Sequence, residues 1–178
     1  MYLPTRHRQP DAQAMRKLIA RHALGMLVSH ADGLADADHL PFEFVETAPP
    51  GLGLLRAHVA RANPLWRRAG QEVLVVFRGP AAYVPPGREE KAATGGRVVP
   101  TWDYHVVHAR GRLRAVEDPA WLLDFLRGQT AHHEAGQARP WSVDDAPPAY
   151  IDGMLKAIVG IEIAIGHLEG KWKGAPSA

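Results

Sequence analysis

Ala157-Ile-Val-Gly-Ile-Glu-Ile-Ala-Ile-Gly-His-Leu168 alternates with a period of two. Val159, Ile161, Ile163 and Ile165 fall on one side; Gly160, Glu162, Ala164 and Gly166 fall on the other. Side chains that alternate this way belong to a strand, and the unbroken β-branched side belongs against a core. Small residues opposite it predict that something else, a partner chain or a ligand, packs closely there.

Working outward, the same signature recurs. Val98 to Val116 predicts the longest strand, bent or bulged, with Trp102, Tyr104, Val106 and His108 on one face and Asp103, His105 and Val107 on the other. Glu72 to Phe77 reads as a buried strand, broken at Gly79-Pro80 and resumed at Ala81 to Val84. Leu54 to Val59 is another. Gly25–Ser29 and Asp38–Phe44 pair around the turn Ala31-Asp-Gly33, with Pro41 arguing for an edge or a bulge. Helices are fewer. Asp11 to His22 carries Met15, Leu18, Ile19 and His22 at i, i+3, i+4 and i+7. Asp118 to His133 opens with Asp-Pro and buries Trp121, Leu122, Phe125 and Leu126, and a short helix spans Ala146 to Lys156. Thr47–Gly51 and Ala135–Trp141 read as connections, the tail after Glu169 as a fraying end, and Pro85 to Arg97, rich in Pro, Gly and charge, as a long mobile loop of the kind that covers sites. Strands not regularly separated by helices disfavour a doubly wound sheet. The expectation is one domain over residues 1–178, α+β but mainly β: a barrel of mostly antiparallel strands with peripheral helices.

Composition narrows function. The 178 residues are 46% apolar and 22% charged, as in an ordinary globular chain. Lys plus Arg is 21 against 19 for Asp plus Glu, and a net charge of +2 gives no argument for nucleic acid or membrane. No cysteine is present, which removes disulfides, Cys-ligated zinc and thiol nucleophiles. The N-terminus lacks a signal-peptide pattern and no segment has a span's length of apolar residues, so the expectation is a cytoplasmic protein.

His58-Val-Ala-Arg-Ala-Asn-Pro-Leu-Trp66 carries the strongest local chemistry. It reads as strand end, turn and helix start. Asn63 is a favoured N-cap and Pro64 suits the first helical position. Free N–H groups, the helix dipole, Arg61 and His58 together make a candidate phosphate cradle; the alternative is a plain capped helix with a solvated arginine. Other motifs are absent: no P-loop, no Gly-rich dinucleotide turn, no H-E-x-x-H, no G-x-S-x-G, and no helix-turn-helix. His105 and His108 lie on opposite strand faces. His132-His133 ends a helix, where the dipole suffices to explain them, so no metal site is expected and no catalytic residue stands out.

Taken in order, Met1-Tyr-Leu-Pro4, His39-Leu-Pro-Phe42, His58 to Trp66, Gly79-Pro-Ala-Ala-Tyr-Val84, Val99-Pro-Thr-Trp-Asp-Tyr104 with His108, and Ala157 to Glu162 leading to Leu168-Glu-Gly-Lys-Trp-Lys173 form a combination that covers nearly the whole chain. With these the sequence resembles the PaiB-type FMN-binding negative transcriptional regulators. The resemblance implies an FMN-binding split barrel, related to pyridoxamine-phosphate-oxidase-like flavoproteins, and a homodimer with FMN near the subunit interface. It implies flavin phosphate near His58, Arg61 and Asn63, and His39, Leu40, Pro41 and Phe42 along the flavin. Thr101, Trp102 and Tyr104 would flank the ring, from the same subunit or the other, with Lys171 as a second cation for the phosphate or for the electron-rich end of the ring. For Trp102 and Tyr104 the alternative is core packing; for Lys171 it is a solvated tail. Two stretches depart from the relatives' pattern, Pro85-Pro-Gly-Arg-Glu-Glu-Lys91 and Gly174-Ala-Pro-Ser177. Three functions follow as expectations: a flavin-binding regulator, a flavin-dependent oxidoreductase acting on a small molecule, or a barrel that holds another planar ligand such as haem. Direct DNA binding has the family name behind it and no support from charge or motif.

Overall fold

The computed structural model describes residues 1–48 and 51–174. Eight strands are β1 (Arg8–Gln9), β2 (Leu24–Ala31), β3 (Leu34–Pro41), β4 (Glu43–Val45), β5 (Leu54–Ala60), β6 (Glu72–Val84), β7 (Thr101–Val116) and β8 (Ile158–Lys173). Four α-helices accompany them: α1 (Ala12–Arg21), α2 (Arg88–Ala93), α3 (Pro119–Glu134) and α4 (Pro148–Lys156). All strands join one antiparallel sheet in the order β3-β2-β6-β7-β8-β5-β4, with β1 on β8.

The sheet wraps a core because its inner faces are apolar at every second position. Val73, Val75 and Phe77 of β6, Val107, Ala109 and Leu113 of β7, and Val159, Ile161 and Ile163 of β8 are buried together with Leu27, Leu55 and Ala57. Each such side chain contributes about 1.5–3 kcal/mol by leaving water. α1 adds Met15, Leu18 and Ile19 to this core; Asp11 caps it by accepting from the Gln13 N–H at 2.8 Å. The ends of the strand order approach each other, since Asn63 after β5 donates to Asp38 of β3 at 2.7 Å. The β2–β3 turn takes Asp32 and Gly33 at φ 51° and 80°, the left-handed pair that suits the strand twist of a tight hairpin.

The long strands fall where alternation puts them, with β8 running on to Lys173. Four expectations change. Residues 79–80 do not break β6: the strand continues through a bulge between Arg78 and Ala81. Asp38 to Phe44 is not one strand but the end of β3 and the separate β4. Pro85–Arg97 is not an unstructured loop: α2 forms in it with Glu89 and Glu90 in its first turn, where carboxylates favour a helix N-terminus. The small side of β8 is packed at Gly160 and Glu162 by this chain's own α3, while Ala164 and Gly166 are exposed. A Cβ on Gly160 would lie 2.4 Å from Cζ3 of Trp121. Beside it the buried Glu162 accepts from Trp121 Nε1 at 3.0 Å and from Arg114 Nε at 2.9 Å. A carboxylate taken out of water needs such partners.

Candidate functional site

The barrel has two outer surfaces. One, over β5 and the first half of β8, lies under α3. Trp121 and Phe125 stack there at 5.3 Å, with the Arg56 guanidinium 5.7 Å from each ring. The other spans β2, β6, β7 and the second half of β8. Met26, Val28, Val76, Val106 and Tyr104 on it are half-buried, while Leu24 and Trp102 are 65% and 54% exposed.

The residues singled out in the sequence divide between these surfaces. His58 points outward from β5 beneath α3, its ring edge-on to Phe125 at 5.9 Å, and its buried Nδ1 has no hydrogen-bond partner. Burial holds its pKa below the ordinary value. Pro64–Arg68 is a five-residue 3-10 turn instead of an α-helix start. Asn63 caps it as expected, accepting from the Leu65 N–H at 2.8 Å. Arg61 is firmly held: Nε donates to the Lys156 carbonyl at 2.9 Å, one terminal nitrogen to Glu117 at 2.6 Å, the other to the Ile158 carbonyl at 3.2 Å. A guanidinium has five N–H donors, so about two remain, on a side chain 39% exposed. A cavity of about 370 Å³ adjoins it, lined also by Glu117, Asp152 and Lys156.

Of His39 to Phe42, Leu40 and Phe42 are core side chains, Phe42 edge-on to Phe77 at 5.8 Å. His39 shares the uncovered outer surface with Met26, its partner across β2, and Pro41 is exposed at the end of β3.

Tyr104 and Lys171 meet and Trp102 lines the same surface beside Tyr104, while Thr101 is tied to Lys173. Trp102 meets Tyr83 edge-on at 5.9 Å. Lys171 Nζ lies 5.3 Å from the Tyr104 ring and 5.7 Å from that of Tyr2, and donates to the Tyr2 carbonyl at 3.2 Å. Lys173 Nζ bonds the Thr101 hydroxyl. Beside them is a shallow cavity of about 280 Å³ lined by Val76, Arg78, Ala81, Trp102, Tyr104 and Val106. Arg78, Val76 and Ala81 were not marked by the sequence. The signal that finds them is the β6–β7 register, Arg78 opposite Val106 and Ala81 opposite Tyr104.

The two groups sit at opposite ends of β8: Gly160 pairs His58, and Lys173 pairs Tyr104. At about 3.3 Å per residue that is roughly 40 Å of strand, too far for one mononucleotide to touch both within one chain.

The antiparallel sheet wrapped on its core defines the class of split-barrel folds. Two solved structures share the fold. The flavocytochrome Anf3 from Azotobacter vinelandii has a TM-score of 0.65 at 13% identity, over 95% of this chain and 70% of that one. The FAD and heme binding protein from Mycobacterium smegmatis has a TM-score of 0.65 at 16% identity, over 97% and 76%. The family model described as "Putative FMN-binding domain" matches residues 1–167, and the chain belongs to that family. Its cofactor is FMN, and it is of the PaiB type that its motifs resemble. Among relatives, an uncharacterized protein of Emericella nidulans is 33% identical over 210 residues, 97% of this chain and 83% of its own. The protease synthase and sporulation protein PAI 2 of Bacillus subtilis is 28% identical over 175 residues, 97% and 81%.

Proposed function

We propose that this FMN-binding protein works as a homodimer whose flavin lies between the uncovered sheet faces and whose biological output is regulatory. One observation carries the reading: Leu24, Met26, Val76, Val106, Tyr104 and Trp102 stand half-exposed or exposed on the outer face of β2, β6 and β7, around Arg78 and His108, on a barrel whose other outer side is closed by its own helix. Large apolar side chains grouped on an open face, with polar ones around them, mark an interface. The side chains present suit the cofactor. Trp102 and Tyr104 offer flat apolar walls to a ring, and Lys171 over Tyr104 brings a cation to its electron-rich end. The phosphate belongs at the Arg61–Asn63 turn, where Arg61 is fixed by three bonds and keeps donors to spare. Because the turn and the aromatic group are separated along β8, a site that uses both takes them from different subunits. His39 and Pro41 are its neighbours from β3; Leu40 and Phe42 support it from the core.

FMN supplies hydride and electron transfer when bound; the protein orients it and controls access. A regulator built this way acts through the flavin's state or a protein partner. Direct DNA recognition finds no support in a charge of +2. A second reading, a flavin-dependent oxidoreductase, is favoured by the open cavity beside Trp102, which leaves room for a small molecule. No helix among the described residues is long and apolar enough to cross a membrane.

Absorbance after incubation with FMN and gel filtration tests the cofactor. Flavin bands that travel with the protein are expected; bands only in the free-ligand volume would overturn the reading. An electrophoretic shift assay at physiological salt tests the mode of regulation: specific retention of DNA would replace the flavin-and-partner route with direct repression.

A further inference from the structure

Away from the aromatic cluster, the C-terminal ends of α1 and α3 meet the start of β2 and the end of β3. Gln129 of α3 donates to the Pro41 carbonyl at 3.4 Å and ties the walls together. Two contiguous cavities lie here, about 530 and 200 Å³, sharing Ala20, Ala23, His132 and His133. The larger is lined by Arg21, His22, Arg78, His132 and His133 and by no carboxylate. Arg16, Arg56, Arg61, Arg68, Arg110, Arg114 and Arg127 each lie within 4 Å of a carboxylate; Arg21 and Arg78 are among the arginines of the described residues that do not, and they are the two that line this cavity. Glu43, which borders the smaller cavity, is itself paired with Arg56 at 2.7 Å. Helix dipoles account for Arg21, His22, His132 and His133 at helix ends; they do not account for Arg78, which reaches the same space from β6. No group of three or more His, Cys, Asp or Glu among the described residues is placed to hold a metal.

We infer that this groove is a binding site for a small organic anion, a carboxylate on a compact apolar body. Arg21 and Arg78 supply planar, permanently charged forks that match a carboxylate. The histidines add donors, and Ala20, Ala23, Leu24 and Pro41 receive the apolar part. The site shares Leu24 and Arg78 with the edge of the proposed face but does not require the flavin reading. Arg78 also lines the cavity beside Trp102, so an anion held here would neighbour a flavin bound on the proposed face.

The experiment is isothermal titration of the full chain, with and without FMN, with benzoate and succinate as probes. Saturable binding in the millimolar range or tighter is expected. Charge-assisted bonds lost in Arg21→Gln or Arg78→Gln should each weaken it about tenfold, with unchanged melting temperature. Arg139→Gln, on the connection after α3, should leave it unaltered. No saturable binding, or equal weakening by all three variants, would overturn the site. Binding of benzoate by protein that takes up no FMN would keep the groove and sink the flavin proposal; FMN uptake without benzoate binding would do the reverse.

Discussion

The two outer surfaces of this barrel share β8 and are treated in opposite ways. Over β5 and the first half of β8 the outward residues are Arg56, His58, Gly160 and Glu162, and α3 lies directly on them. Over β2, β6 and β7 they are Leu24, Met26, Val76, Val106, Tyr104 and Trp102, and they stay half-exposed. The covered surface is mostly polar, with Arg56 and Glu162 paired and His58 Nδ1 left without a partner; the exposed one carries large apolar residues on β2, β6 and β7, with Arg78 and His108 among them. A chain that meant to leave a face in water would place its polar residues there. The inversion is what supports the proposed occupant from outside the chain on the one face, while α3 closes the other.

Val106→Glu strikes the exposed face hardest. It puts a carboxylate at the centre of the proposed interface, once per subunit, between Arg78 and Lys171 of its own sheet, and taking that ionic group out of water on association costs several kcal/mol. Sedimentation should show folded monomers; an intact dimer would remove this face from the interface. Gly160→Val strikes the covered face instead. The new Cβ meets the Trp121 ring at 2.4 Å, and overpacking of this kind costs about 1–3 kcal/mol. Urea unfolding should show that loss while the subunit mass stays dimeric, since α3 and the interface lie on different sides.

Arg61→Ala has a smaller effect that crosses between the two. Loss of a phosphate contact should weaken FMN about tenfold more than riboflavin in fluorescence titrations. Equal weakening of both would mean that Arg61 acts only through its bonds to the Lys156 and Ile158 carbonyls. The smallest effect is a pH dependence from beneath α3. His58 has its folded pKa lowered by burial from an ordinary 6.5. The unfolded chain therefore binds the proton first, so stability is full above about pH 6.5 and falls as pH drops toward the folded value. His58→Gln should flatten that decline in thermal melts taken across the interval; an unchanged slope would place the titration elsewhere.

Much of this fold was legible because β-branched residues alternate over long runs, in Val159–Ile165 above all, and because Asp11, Asn63 and Asp118 mark starts that their side chains do cap. What was not legible is tertiary. Gly160 and Glu162 announce a close neighbour, but only the packed chain shows that it is Trp121 of α3 instead of a partner. Arg61 looks like a free cation in sequence, while its partners Glu117, Lys156 and Ile158 lie 56 to 97 residues away. α2 is hidden in a stretch of Pro, Gly and charge whose helical part is a single short run from Arg88 to Ala93. Arg78 belongs to the aromatic surface and to the histidine groove through the β6–β7 register, which seats it opposite Val106.

Light scattering coupled to gel filtration, with absorbance read at protein and flavin wavelengths together, tests the central claim most directly. A dimer that carries one FMN per subunit, and that loses both its mass and its flavin in Val106→Glu, is the predicted result. A monomer that retains FMN, or a Val106→Glu monomer that binds it as well as the native chain, would contradict a flavin held between the two uncovered faces.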